Sequence, residues 1–516
     1  MIARGIDVKL NVRPVMVGLV HEEYYEGPCR FGGGEGLQVG YDALVLQQMF
    51  KDFQAELEEN VIPETNLMEP IYVERTDSWF SKEEMFEKMA ADMDDVDFYI
   101  FHTFMGRNDI VIEFAQRYNK PFAVLPTICC EVAAISAATR ARGLESYCAL
   151  SWDKLRVIMQ AQLIRKVLRK MNVLLVTRMN STVSYSSIDS FLCLDHVTQK
   201  LGVKFRYKNF HEFVDQMSPA LPGGNPTTPG RKTPDLTDED KAAIEKLADE
   251  LLKDAKYVDV SRDFVVKSLT AYQTVFKNLD LYDCNAFTVP CPDTCSTRRL
   301  NEEQFTFCMT HSLLNEKGIP SACEYDINAV VSMMILITAA RGAAYLGNVV
   351  ALNSDQNGKV DFDVDMFGGL PWTTKEDLDL IEDQRNICIS EHSVPNRKMN
   401  GFNNEIGEYA LNHFAVDQGF GAVMRYDFKA DIGTDITIAK FSPDLKKMFI
   451  AKGKVVSGGG FEECNCATSV LFSVKDIELF REGQLYVGNH IPLVYGDHVE
   501  VLTTFCKMMG IEPVLA

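Results

Sequence analysis

Glu324, Asp355 and His490 are the residues from which chemistry can be built. Glu324 stands in GIPSACEYDINAVVSMMIL (Gly318–Leu336), where a carboxylate enters apolar sequence at the head of a helix. A carboxylate taken out of water finds a cation or picks up a proton. Asp355 closes the strand-like run NVVALNSDQN, and His490 sits in VGNHIPLVYGDHVEV between Gly488 and Gly496. Two carboxylates and one imidazole are what a Mn²⁺- or Mg²⁺-like site takes from a protein, with positions left for substrate hydroxyls and water. The three are far apart in the chain, so local spacing does not by itself bring them together.

Each has a plainer reading. Glu324 at a helix start is favourable to the helix dipole without any metal. Asp355 in NSDQNG has the company of a turn residue. Asp361, Asp363 and Asp365 in DFDVD compete with it, although they alternate like the solvated face of a strand. His490 beside Gly and Asn suits a loop histidine, and His392, ending the apolar run in NICISEH, is a further candidate. Of the 14 Cys, Cys291/Cys295 and Cys464/Cys466 are clustered, but CxxxC and CxC lack the paired CxxC spacing of structural zinc sites. The others sit in apolar surroundings and read as reduced core residues.

The elements that must position these residues follow from the hydrophobic pattern. The first third alternates short apolar strands (PVMVGLV, PIYVERT, VDFYIFHTF, PFAVLPTI) with amphipathic helices, the pattern of a parallel sheet covered on both faces. His102 and Thr103 stand at a strand's carboxyl end, where such sheets bind ligands. FGGGEG lacks the strand–helix setting of a dinucleotide fingerprint. A long helix, DKLRVIMQAQLIRKVLRKM, leads to a second α/β unit that opens with NVLLVT. Within it Ser218–Asp240 reads as an exposed Pro/Gly/Thr-rich loop, ending at a helix capped by Thr237. The last third alternates like antiparallel β, as in GTDITIAKFSPDLKKMFIAKGKVVSGGG. The fold class expected is α/β, with two doubly wound parallel-sheet domains (1–168 and 169–345) and a C-terminal antiparallel β-rich domain (346–516).

The charge balance, 52 Lys and Arg against 73 Asp and Glu for a net −21, repels phosphate backbones and anionic lipids. No nucleic-acid or membrane partner is expected. The N-terminus lacks the unbroken apolar run of a signal peptide, and no window reaches the roughly 18–20 apolar residues of a spanning helix. A cytoplasmic location is the expectation.

The ACE-containing helix start, the NVVALNSDQN strand after it, and GNHIPLVYGDHVEVLTTFCKMMGIEPV near the C-terminus together resemble the L-fucose isomerase/L-arabinose isomerase family. The resemblance covers most of the C-terminal two-thirds; over the first 170 residues only the α/β pattern agrees. It implies an aldose–ketose isomerase of carbohydrate metabolism that works through a Mn-bound enediol, with Mn²⁺ (or Mg²⁺ or Co²⁺) as cofactor and a small sugar as partner. It also implies a homo-oligomer, trimer or hexamer, with sites near subunit interfaces. Carried over residue by residue, it implies Glu324 and Asp355 as metal ligands and acid/base groups, and His490 as the third ligand. Cys291, His392 and Asn489 would then meet the substrate. Asp326 has no counterpart in the resemblance and reads as a residue of the helix's first turn. The Ser218–Asp240 insert departs from the family and leaves the sugar open. A non-catalytic sugar-binding protein, or a metal-dependent aldolase or epimerase, are the alternatives.

Overall fold

The computed structural model describes residues 2–27, 30–76, 82–103, 108–126, 130–177, 187–217, 236–294, 303–360 and 378–516. Most of the Ser218–Asp240 loop, the Asp361–Asp365 run and Cys295 lie outside the described residues. The chain forms two compact units, Val8–Lys166 and Met1–Asp7 with Val167–Ala516.

In the first unit a six-stranded sheet is built around Leu10–Val20. That strand is parallel to Thr65–Leu67 and Ile71–Thr76 along one edge and to Phe98–Thr103 along the other; Phe122–Val124 and Ser146–Cys148 continue the sheet in parallel. Helices such as Tyr41–Asn60 and Asn108–Tyr118 alternate with the strands, as the apolar runs predict. His102 does stand near the carboxyl end of its strand, and burial holds its imidazole at a pKa of about 4, so it is neutral. The glycine run forms a single 3₁₀ turn, Gly34–Leu37, rather than a turn between strand and helix.

The second unit holds a four-stranded sheet, a larger and mainly antiparallel one, and a three-stranded one of Tyr257–Asp259, Tyr409–His413 and Ala422–Tyr426. In the first, Ala286–Thr288 is parallel to Ser321–Ala322 and to Asn172–Thr177, which is parallel to Lys204–Asn209. The helix after this sheet's loop starts as its sequence predicts, with Thr237 and Asp240 forming a reciprocal capping box. In the larger sheet the order is Asp435–Phe441, His490–Tyr495, Tyr345–Ala351, Ile387–His392, Thr468–Val474 and Lys447–Gly459. Lys447–Gly459 pairs back on Asp435–Phe441, so these antiparallel strands close into a barrel, and Glu512–Leu515 flanks it in parallel. The expected α/β class with a C-terminal antiparallel β-rich part is therefore the observed one.

Between the parallel sheet and the barrel lies Ile327–Ala340, in contact with Ala286–Thr288 and Ser321–Ala322 on one side and with Asp435–Phe441 and His490–Tyr495 on the other. Its sequence INAVVSMMILITAA is apolar all round, as a helix covered on every face must be. Among the described residues no helix is long and apolar enough to cross a membrane.

Candidate metal centre

Glu324 lies in the short link between Ser321–Ala322 and the buried helix. Glu324 and Tyr325 both adopt left-handed backbone, with φ of 60° and 61°. For side-chain-bearing residues this costs about 1–3 kcal/mol each and persists only where surroundings over-determine it. Here Tyr325 N donates to Val289 O at 3.0 Å and Ser187 Oγ to Glu324 O at 3.1 Å. Ser190 Oγ accepts from Ile327 N at 3.1 Å and Asn328 N at 3.3 Å. The helix proper begins after Asp326, whose Oδ1 caps it by accepting from Ala329 N at 2.9 Å. Glu324 is thereby lifted off the helix and turned toward the barrel.

The barrel supplies two imidazoles. His392 is the last residue of Ile387–His392, and His490 the first of His490–Tyr495. Their rings lie 5.2 Å apart, centroid to centroid, and both side chains are only 2% exposed. His392 Nε2 is 3.4 Å from Glu324 Oε1. Ligating atoms of Glu324, His392 and His490 all fall within 4.8 Å of one another, a group that could hold a divalent cation. The donor set suits one: a carboxylate and two imidazoles, with Nε2 of both His392 and His490 buried without a hydrogen-bond partner among the described residues.

Behind His490 stands a charged pair. Asp326 Oδ2 is 3.1 Å from His490 Nδ1 and accepts from Lys440 Nζ at 2.8 Å. Lys440 also donates to Asp189 Oδ2 at 2.9 Å and is wholly buried. Gly488, at φ 86°, fits here because a Cβ would collide with the Asp189 carboxylate. Burial alone would raise the Asp326 carboxyl, but Lys440 and His490 outweigh it and hold the group well below the usual carboxylate range. Burial alone would lower the Lys440 ammonium, but Asp326 and Asp189 raise it. His392 is pushed down, first by burial and then by the neighbouring His490.

The remaining sequence candidates lie elsewhere. Asp355 does not join the group: it is exposed, and its Oδ1 accepts from the backbone N–H of Asn357 at 2.8 Å and of Lys359 at 2.9 Å. That is the turn role its sequence also allowed. Cys291 lies beneath the Glu324 link, its Sγ 2.6 Å from that of Cys323. Asn489 is exposed and donates to Asn348 Oδ1 at 2.8 Å. Asp326, expected only in the first helical turn, in addition holds His490. Lys440, Asp189 and Glu391 were missed. A signal for Lys440 existed: in DITIAKF it shares the parity of Ile436 and Ile438, which point into the barrel core.

Fold and site together define an α/β protein with a closed antiparallel barrel and a buried carboxylate–imidazole group where the two meet. Two sulfoquinovose isomerases, from Priestia aryabhattai and Priestia megaterium, are each 27% identical to this chain over 213 residues. The match takes in 40% of this chain and 39% of those relatives, so the chain spans well under two-thirds of their length. No family model matches. A solved dinucleotide-forming acetyl-coenzyme A synthetase from Ca. Korarchaeum cryptofilum aligns over 64% of this chain and 65% of its own at 12% identity, but its TM-score of 0.18 carries no argument.

Proposed function

We propose that the protein is a divalent-cation-dependent aldose–ketose isomerase acting on a small sugar. The observation that carries the reading is the Glu324–His392–His490 group, with both imidazoles buried and Glu324 held by strained backbone; the match to isomerases that act on a sugar supports it. Isomerisation moves a proton between C2 and C1 and rearranges the protons on O1 and O2. Glu324, the carboxylate of the group, takes the C–H proton and returns it to the neighbouring carbon. His392 beside it orients that carboxylate, and His490 with Glu324 would hold the cation. When bound, a divalent cation polarises the carbonyl as a Lewis acid.

The test is incubation of the Mn²⁺-loaded protein with aldoses in D₂O, read by NMR. The panel includes L-fucose, L-arabinose and a 6-sulfonated hexose, the last suggested by the relatives. Ketose formation, with deuterium at C1 wherever the proton exchanges with solvent, is the expected result. New carbon fragments would mean an aldolase, a new aldose an epimerase, and unchanged sugars a binding protein.

A further inference from the structure

We infer that the two histidines of the group are locked in opposite tautomers: His490 offers a bare Nε2 to the cation, while His392 offers an N–H to Glu324. Asp326 is the positioning residue that fixes the first of these. The inference rests on reading the group as a cation site, and it divides roles that the chemistry of two equivalent imidazoles leaves undivided.

The hydrogen-bond partners set each tautomer. A carboxylate held by a lysine accepts and does not donate. Asp326 is so held, by Lys440 at 2.8 Å, so the contact of 3.1 Å to His490 places the proton on Nδ1. The other ring nitrogen, Nε2, keeps its lone pair; like Nε2 of His392 it is buried without a hydrogen-bond partner among the described residues, so it is the Nδ1 partners that set the two rings apart. This is the carboxylate–histidine arrangement that orients metal-bound imidazoles. At His392 the partner is of the opposite kind. A backbone N–H only donates, and Ser393 N gives its hydrogen to His392 Nδ1 at 2.8 Å. Nδ1 is therefore the acceptor, and the proton of the neutral ring sits on Nε2, the nitrogen 3.4 Å from Glu324 Oε1.

A cation in this group would then take Glu324 and His490 from the protein, and its other positions would go to substrate oxygens and water. Hard divalent cations accept such a small protein share. His392 is left to steady the carboxylate that must both bind and carry a proton.

The test is ¹⁵N-histidine NMR of the metal-free protein, with the two rings assigned by their loss in His490→Gln and His392→Gln. Opposite tautomers, Nδ1–H at His490 and Nε2–H at His392, are expected. Manganese affinity, read by EPR without any substrate, should split in the same way. His490→Gln loses at least about a hundredfold, and Asp326→Asn about 10- to 100-fold, because its amide can now donate to Nδ1. His392→Gln stays within about threefold, since the Gln amide keeps an N–H donor. Like tautomers in the wild-type protein, equal losses in the two Gln variants, or no manganese binding by the wild type would overturn the inference. The wild-type spectrum decides the tautomers even where Asp326→Asn fails to fold. Absence of isomerase activity with tautomers and affinities as stated would remove the proposed function and uphold this assignment.

Discussion

His490 Nδ1 lies 3.1 Å from Oδ2 of Asp326, and the other oxygen of the same carboxylate caps the helix that starts at Ile327. One side chain thus ties the rotation of a barrel imidazole to the end of a helix packed against the parallel sheet. Glu324, two residues before Asp326, leaves the same link toward the same imidazole. The distance between carboxylate and imidazole is accordingly set by rigid elements rather than by a loose loop, as a site must be if its ligands are to be preorganised.

Glu324→Gln keeps the shape of the side chain and removes its charge and its basicity. Turnover with saturating Mn²⁺ should fall by about a hundred- to ten-thousand-fold, the usual worth of a general base. Thermal unfolding of the metal-free variant should stay near that of the wild type, because Glu324 contributes geometry to the site rather than to the core. Near-native turnover in a stopped sugar assay would remove Glu324 from the chemistry.

Asp355→Ala should leave manganese affinity and turnover at wild-type levels. Its carboxylate is engaged by the backbone of its own turn, chiefly by Lys359 N, which also lowers its pKa. An EPR titration of the variant checks this directly. A large loss of affinity would mean that the turn opens and delivers Asp355 to the cation.

The contrast between these two carboxylates marks where the sequence is informative. Glu324, His392 and His490 each terminate or interrupt an apolar run, so a polar group at a buried element end is visible in the letters alone. The antiparallel strands were visible in the period-2 alternation of DITIAKF and KMFIAKGKVVSGG, but their closure into a barrel was not. Asp355 was not separable from a ligand, because turns and cation sites draw on the same Asn, Asp and Gly. Asp326 and Lys440 are 114 residues apart, and their pairing depends on how the helix packs against the barrel. Nor does any local pattern announce the left-handed Glu324–Tyr325 backbone, since neither residue favours it.

Lys440→Met replaces a wholly buried ammonium by an apolar chain of similar length. It leaves Asp326 and Asp189 facing each other without their cation, which should destabilise the fold by about 3–5 kcal/mol. Urea unfolding measures the loss. Combining the change with Asp326→Asn and Asp189→Asn should recover much of it, since the uncompensated charges are then gone. Additive losses in the triple variant would show that Lys440 acts through packing rather than through the pair.

Glu391 carries the clearest pH signature. It precedes His392 and pairs with Asn348 on the adjacent strand, and Asn348 is in turn the strand partner of His490. Its Oε2 is buried with no hydrogen-bond partner among the described residues, and burial raises its pKa from 4.5 to about 7. The folded chain therefore holds this proton more tightly than the unfolded chain. The resulting stability is whole below the ordinary carboxylate value and is lost as pH rises through the folded one. Glu391→Gln cannot ionise, so it should match the wild type near pH 4 and exceed it at pH 8. Discounted for the partial exposure of the side chain, the gain at pH 8 is about 1–2 kcal/mol. Urea midpoints of both proteins at the two pH values decide the matter. A gain that is the same at both would assign the effect to packing, and a loss at pH 8 would mean that the ionised carboxylate has a cationic partner in the folded protein.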